Sequence, residues 1–350
     1  MSDADVARTV EEAGLNEMSR MDIDDVYTLM DVQLRERPDP MTLYRRWEKQ
    51  NWSVFDLDFS KDASDWAMFP YEFKEQLVLG FRGFYLGEAA VTDTLSPMVH
   101  AAPTDADRQF LATQLVDEAR HTIFFDRFFK EVLQEEGLEE SRRVTDEIGY
   151  TSNKEKGFAR LFYRDLVDVT DAVRLDPRDY GKWVDSIVLY HMLIEGMLAL
   201  AGQRRILQVA RQFDVLPGFR AGFTAVTRDE SRHVNYGVYA LSVAVAEGLT
   251  DRIVSTASRY LDATCDVVTR PFRRIPPVPE AMLQGFKIRD GWTFSVGQLR
   301  KRLRGAGIGD EPIAGLERQW LDRIEANLDE YESRFGEPHP ARLQERNAVA

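Results

Sequence analysis

Two short strings carry ligand-type side chains at helical spacing: DEARH at residues 117–121 and DESRH at 229–233. Each sets a Glu and a His three residues apart, Glu118 with His121 and Glu230 with His233, hence on one helical face a turn apart. A single pair of this kind is common on solvated helices and carries little alone. Two further acids stand where the surroundings are apolar. Glu88 follows GFRGFYLG, and Glu195 interrupts IVLYHMLIEGMLALAG. A buried carboxylate must be paired, protonated or metal-bound, because desolvating it costs several kcal/mol. The plain alternatives are an Arg partner for Glu195 and the nearby Arg82 for Glu88.

The order of the six residues favours metal. The chain reads Glu88, Glu118-x-x-His121, Glu195, Glu230-x-x-His233, so one half-site occurs twice. A di-metal carboxylate bundle takes one Glu from each of two helices and a Glu-x-x-His pair from each of the other two. Hard carboxylates with borderline imidazoles suit iron or manganese, and four acids balance much of two divalent charges.

Such ligands need four long helices, and the apolar spacing supplies them at three- and four-residue steps. Expected helices run from Tyr71 to Val99, from Pro103-Thr104-Asp105 to about Glu136, from Asp179 to Phe213, and from Phe219 to Glu247. Gly137, the Leu216-Pro217-Gly218 turn and Gly248 mark their ends. Gly80, Gly83 and Gly87 weaken the first by roughly 1 kcal/mol each, which close helix approach would offset. The expected fold is all-α, a ferritin-like four-helix bundle with flanking helices. The expected divisions are a helical extension over 1–50 broken at Pro38 and Pro40, the bundle over 51–270, and an accessory tail over 271–350. That tail begins in a proline-rich run and carries one amphipathic helix near Gly315–Arg334.

Composition narrows the function classes. The 350 residues include 59 acids against 45 bases, a net charge of −14, which disfavours nucleic acid as a partner. Only 9 of those bases are Lys, so an acidic, Lys-poor surface suggests a high-salt cytoplasm or a GC-rich genome. The one cysteine, Cys265, excludes an internal disulfide, an all-cysteine metal site and a redox dithiol. The N-terminus is acidic with no apolar stretch, unlike a signal peptide. Ile187–Gly202 is 16 residues long with His191 and Glu195 inside it, short of the ~20 that span a bilayer. A cytoplasmic protein is the expectation.

With these motifs in place, the sequence resembles the ferritin-like di-metal carboxylate proteins. Within them it is most similar to the ribonucleotide reductase small subunit and to the ligand-binding oxidases that resemble that subunit. The resemblance covers about residues 50–250, including NWSVFDLDFSKDASDW, GEAAVTD around Glu88 and both DExxH strings. It implies one metal on Glu88, Glu118 and His121 and another on Glu195, Glu230 and His233. It implies that Asp229 orients a ligand histidine, His121, and that Trp52 corresponds to the reductase's electron-transfer tryptophan. The reductase branch has a radical tyrosine four residues after the first ligand His, where this chain has Phe125. It also uses a tyrosine near a flexible C-terminus, whereas Tyr331, the last here, is 19 residues from the end. The oxidase branch joins a Val and a Tyr by an ether link, and the matching positions are Val91 and Tyr190. Val91 shares the face of Glu88 one turn away, but Tyr190 does not share that of Glu195 by α-helical periodicity. Core packing is the plain alternative for both.

The resemblance to the oxidases implies a Mn/Fe cofactor (di-iron as the variant), dioxygen activation, and a long-chain fatty acid whose carboxylate contacts the metals. It also implies an external electron donor and a homodimer. Three readings compete: an oxidase of this kind, a reductase small subunit without the radical tyrosine, and a ferritin-type storage bundle, whose chains are about half this length. The oxidase leads.

Overall fold

The computed structural model describes residues 1–270, 273–276, 282 and 286–349, and every element among them is helical. The chain is an all-α, ferritin-like bundle. Four long helices form its centre. The first is Tyr71–Thr94, entered through Pro70. The second, Asp105–Phe128, begins at Thr104, whose hydroxyl accepts the Asp107 N–H, and runs on as a π-helical turn at Phe129–Leu133. The third spans Tyr180–Ile187, Val188–Ala199 and Leu200–Gln212 without a break, and its middle segment is π-helical. The fourth is Pro217–Ala246, with Pro217 in its first turn.

The fourth helix is capped from outside. Both oxygens of Asp62, on the short helix Ser60–Met68, accept backbone N–H groups, from Gly218 at 2.9 Å and Phe219 at 2.6 Å. Asp65 accepts from Leu216 at 2.9 Å. These bonds satisfy N–H groups that a helix start leaves unpaired. They also fix where Glu230 and His233 fall three to four turns later.

By length and composition the third helix would pass as a membrane span, yet 78% of its most apolar window is buried inside the fold. It is the central core helix: Val188, Leu189, Met192, Leu193 and Met197 are each at most 1% exposed. The N-terminal region forms short helices as expected, Asp3–Glu12, Leu15–Met18, Ile23–Glu36 and Pro40–Lys49, and Pro40 starts a helix rather than only breaking one.

The region beyond 270 carries more structure than the single helix expected. Ile288–Gly305, Asp310–Phe335 and Pro340–Val349 are all helical, while the proline-rich run at 270–280 lies partly outside the described residues. Trp292, Leu299, Leu303 and Trp320 are buried in one continuous core with the third helix, and Trp320 Nε1 donates to the Trp292 carbonyl at 3.1 Å. The spacing 288, 292, 296, 299, 303 has the apolar period of a helix; the prolines before it masked the signal.

Candidate metal centre

The four helices bring Glu88, Glu118, His121, Glu195, Glu230 and His233 together at the bundle centre, all buried. Their ligand atoms form two groups, each within 4.8 Å: Glu88, Glu118, His121 and Glu230 in one, Glu118, Glu195, Glu230 and His233 in the other. Glu118 and Glu230 therefore belong to both groups. The resemblance implied Glu118 on one side only and Glu230 on the other only.

The plain alternatives for the two apolar-context acids find no support. Arg82 reaches Glu135 at 2.6 Å, not Glu88. Among the described residues no arginine pairs with Glu195; its Oε1 accepts from Gln114 Nε2 at 2.9 Å.

Each imidazole is oriented the same way. His121 Nδ1 faces Glu88 at 3.4 Å and Glu118 at 3.5 Å, while its Nε2 lies 3.3 Å from Asp229. His233 Nδ1 faces Glu118 at 3.2 Å and Glu230 at 3.3 Å, while its Nε2 lies 3.2 Å from Asp117. The aspartate of each motif thus holds the histidine of the other. Asp229 also accepts from Trp52 Nε1 at 2.8 Å, and Asp117 from Trp47 Nε1 at 2.9 Å. Arg232, 1% exposed, joins the two halves by donating to Asp117 at 2.8 Å and Asp229 at 2.7 Å. Arg120, in the matching position of the other motif, donates to Asp117 at 2.7 Å. The repeat is therefore D-E-x-R-H, with every named letter in use.

Charge balance inside this cluster demands cations. Burial lifts the Glu88 carboxyl to about 8 and that of Glu195 well above its ordinary value. Burial also pushes Glu118 upward, but the His121 and His233 imidazoles prevail and hold it well below the usual carboxylate range. Burial works against the imidazolium form of both histidines, yet surrounding carboxylates, led by Asp229 for His121 and Asp117 for His233, keep each well above the ordinary value. Protons or metal ions can supply the positive charge. His121 Nδ1 and Glu195 Oε2 are buried without a hydrogen-bond partner. Orphaned atoms of this kind, in a set of four carboxylates and two imidazoles, fit a pair of iron or manganese ions.

Two supports of Glu195 escaped sequence reasoning. Gln114 has its amide nitrogen on Glu195 and its carbonyl 3.0 Å from His191 Nε2. That pairing makes His191 the Nε2–H tautomer. Burial drops the His191 imidazole to about 3, so it stays neutral. No motif marks a glutamine, and Trp47 and Asp117 were likewise passed over, although Asp117 precedes Glu118 as Asp229 precedes Glu230.

A cavity of about 390 Å³ opens onto the cluster. Glu88, Glu118, Glu195 and Glu230 line it together with Val91 and Tyr190, and Phe84, Phe158, Phe162, Ile194 and Leu198 make apolar walls. The Tyr190 hydroxyl donates to Glu118 at 2.8 Å. Gly80, Gly83, Gly87 and Gly202 line the same space. Helix approach alone does not account for the glycines: a Cβ on Gly83 would sit 3.2 Å from the Tyr150 hydroxyl, whereas one on Gly87 would meet Phe162 at an ordinary 3.6 Å. Close helix approach does hold at Gly80, where a Cβ would sit 3.3 Å from Ile206, and at Gly202, where one would sit 2.8 Å from Phe84. Phe125 lies outside the cavity wall, fully buried among Tyr85, Phe124 and Phe223.

Known structures share this architecture. An R2-like ligand-binding oxidase from Sulfolobus acidocaldarius is similar with a TM-score of 0.62 and 23% identity, over 78% of this chain and 92% of that one. An R2-like ligand-binding oxidase with an aerobically reconstituted Mn/Fe cofactor is similar with a TM-score of 0.56 and 24% identity, over 82% and 91% respectively. At such identities the likeness speaks for the fold. The sequence pattern described as "Ribonucleotide reductase, small chain" matches residues 33–267, and the chain belongs to that family of oxidoreductases.

Proposed function

We propose that this protein is a di-metal oxidase that activates dioxygen for C–H oxidation and holds a long-chain fatty acid in its cavity. In this reading Glu88, Glu118 and His121 would hold manganese and Glu195, Glu230 and His233 would hold iron, with Glu118 and Glu230 lying in both groups of ligand atoms. The carrying observation is the apolar-walled cavity of about 390 Å³ that meets four carboxylates, Val91 and Tyr190 at one end. Its volume falls within the ~300–1,000 Å³ of small-molecule sites. The solved structures named above, R2-like ligand-binding oxidases and in one case carrying Mn/Fe, favour the same assignment.

When bound, such a metal pair supplies the electrons that reduce dioxygen and the oxidising power that removes hydrogen from carbon. The chain's own residues prepare the site. Asp229 and Asp117 fix the imidazoles by Nε2 so that both Nδ1 atoms face inward. Gln114 fixes one oxygen of Glu195 and leaves the other free for a metal. Phe84, Phe158 and Phe162 keep water from the reacting carbon. Val91 and Tyr190 share the cavity wall, and an ether between the Val91 β-carbon and the Tyr190 oxygen would cost two hydrogens, with dioxygen as their acceptor. The Cys265 thiol is buried and raised to about 12, so electrons are proposed to come from a partner protein. The family likeness favours a cytoplasmic homodimer.

The test is metal analysis and peptide mapping of protein produced with both metals and exposed to air. The expected result is one manganese and one iron per chain, with one linked peptide pair containing residues 91 and 190, two hydrogens light. Tyr190→Phe loses the link and keeps the metals. A fully metallated, air-oxidised protein with only unlinked peptides sinks the oxidase reading.

The reductase small subunit is the second reading, and one observation favours it. Trp52, which donates to Asp229 beside His121, lines a surface cleft of about 790 Å³, an apt place for electrons to enter or leave. Phe125 cannot carry a radical, so this reading is a small subunit without the radical tyrosine. Against it, Tyr331 is 1% exposed, hydrogen-bonded to Glu337 and set edge-to-face against His339.

A further inference from the structure

Trp47 is tied to the metal-binding cluster in the same manner as Trp52, yet the oxidase reading gives it no task. It lies half-buried on the helix Pro40–Lys49, and its Nε1 donates to Asp117 Oδ1 at 2.9 Å. The other oxygen of Asp117 is 3.2 Å from His233 Nε2. His233 Nδ1 in turn faces Glu118, Glu195 and Glu230 at 3.2–3.4 Å. Three side chains therefore make a continuous hydrogen-bonded lead from the surface to the second group of ligand atoms.

An indole is among the side chains that most readily lose one electron, and the charges around it set how readily. The Asp117 carboxylate on Trp47 Nε1 compensates the positive charge that oxidation leaves on the ring, and away from bulk water that attraction is stronger. Trp52 has a matching carboxylate in Asp229. Arg120 and Arg232 reach both aspartates, so the two carboxylates are alike. The difference lies at the rings. The Arg120 guanidinium stands 5.5 Å over Trp52, where it is attracted to a neutral indole and repelled by an oxidised one. Among the described residues no Lys or Arg stands over Trp47. Trp52 is also the more deeply buried of the two.

We propose that Trp47 is the residue through which electrons from outside enter the second half of the centre. The proposal rests on the oxidase reading given above. Trp47 gives one electron, by way of Asp117 and His233, to the metal pair that dioxygen has oxidised. Its Nε1 proton stays in the bond to Asp117, and a one-electron reductant at the surface then restores the indole.

The experiment uses the full chain carrying Tyr190→Phe, in which no ether can form, loaded with manganese and iron. It is mixed with oxygenated buffer and frozen at intervals for electron paramagnetic resonance. An organic radical is expected whose signal narrows when the protein carries ring-deuterated tryptophan. Trp47→Phe should abolish that signal with both metals still bound, and Trp52→Phe should leave it. Trp47→Tyr, which offers an oxidisable ring without the indole N–H, should replace it by a radical that deuterated tryptophan does not narrow. Support of Asp117 alone would produce neither radical. Ascorbate mixed in with the oxygen should quench the signal, because Trp47 reaches solvent. A tryptophan signal that persists in Trp47→Phe, or that ascorbate leaves untouched, overturns the proposal, as does oxidation of the metals with no tryptophan radical. A loaded protein whose metals stay reduced in air fails the oxidase reading itself.

Discussion

Replacing Asp229 by Asn keeps the shape of a residue that touches no metal in our scheme, and so isolates what its charge does. The Asp229 carboxylate accepts from Trp52 at 2.8 Å and Arg232 at 2.7 Å and lies 3.3 Å from His121 Nε2. An amide presents an N–H₂ group to some of these donors, and Arg232 loses one of two anionic partners at 1% exposure. Breaking a buried ion pair costs about 3–5 kcal/mol. The lower end applies here, because Arg232 keeps Asp117 and the Gln50 side-chain oxygen Oε1 at 2.7 Å. At ~2.1 cal/mol/K per residue the unfolding entropy of a chain this long is about 0.7 kcal/mol/K, so Tm should fall by about 4 °C. The metal effect is sharper. Orienting partners of ligand histidines are worth about 10–100-fold in metal affinity, and Asp229 orients only His121. Chelator competition on the loaded protein should show that loss at the Glu88 side and none at the His233 side, which Asp117 orients. Asp117→Asn should give the mirror image. Equal weakening of both positions by Asp229→Asn, or of neither, would refute the crossed pairing.

Gln114→Leu should release the second metal about 10–100-fold more readily than wild type, because Glu195 loses the amide that holds its Oε1 at 2.9 Å; chelator competition checks it, and an unchanged second site removes Gln114 from the scheme. Burial lifts the Asp62 carboxyl to about 6 from its ordinary 3.8. The folded state therefore binds that proton more tightly than the unfolded chain, and the stability it contributes is present below about pH 4 and lost as pH rises through about 6. Denaturant titrations from pH 4 to 7 should show a decline on the order of 2–3 kcal/mol that Asp62→Asn lacks; an identical slope in the variant excludes Asp62 as its source. The net charge of −14 predicts that withdrawing salt lowers Tm through unscreened repulsion, and equal melting at low and molar salt leaves the Arg-rich composition without a halophilic cause.

The site was legible where chemistry and position coincide in one string. Glu and His at a three-residue step declare a shared face, and two such pairs alternating with two acids in apolar text declare four helices around one centre. Supports supplied across the bundle leave no such mark. Gln114 works on Glu195 and Trp47 on Asp117 only because distant segments pack together, and no local pattern distinguishes them from surface residues of the same kind. The glycines of the first helix were visible, but their purpose depends on what faces them.

The relation of Tyr190 to Glu195 shows why period-based reading fails at this centre. At about 100° per residue, five residues separate two side chains by about 140° on an α-helix, so the pair should diverge. Val188–Ala199 is π-helical instead, and a π-helix bonds residue i to i+5, which brings positions five apart into line. Tyr190 and Glu195 then line one cavity, while His191, next along, turns towards Gln114. Gly196 belongs to the same geometry. A Cβ there would stand 2.8 Å from the His191 carbonyl oxygen, five residues back, where only a hydrogen fits. The widened turn gives one helix two inward tasks, presenting a phenol and a carboxylate to the cavity while its neighbour supports that carboxylate from behind. A regular α-helix of the same sequence would have sent one of the two away, and the text around them, apolar apart from His191, does not announce the change of pitch.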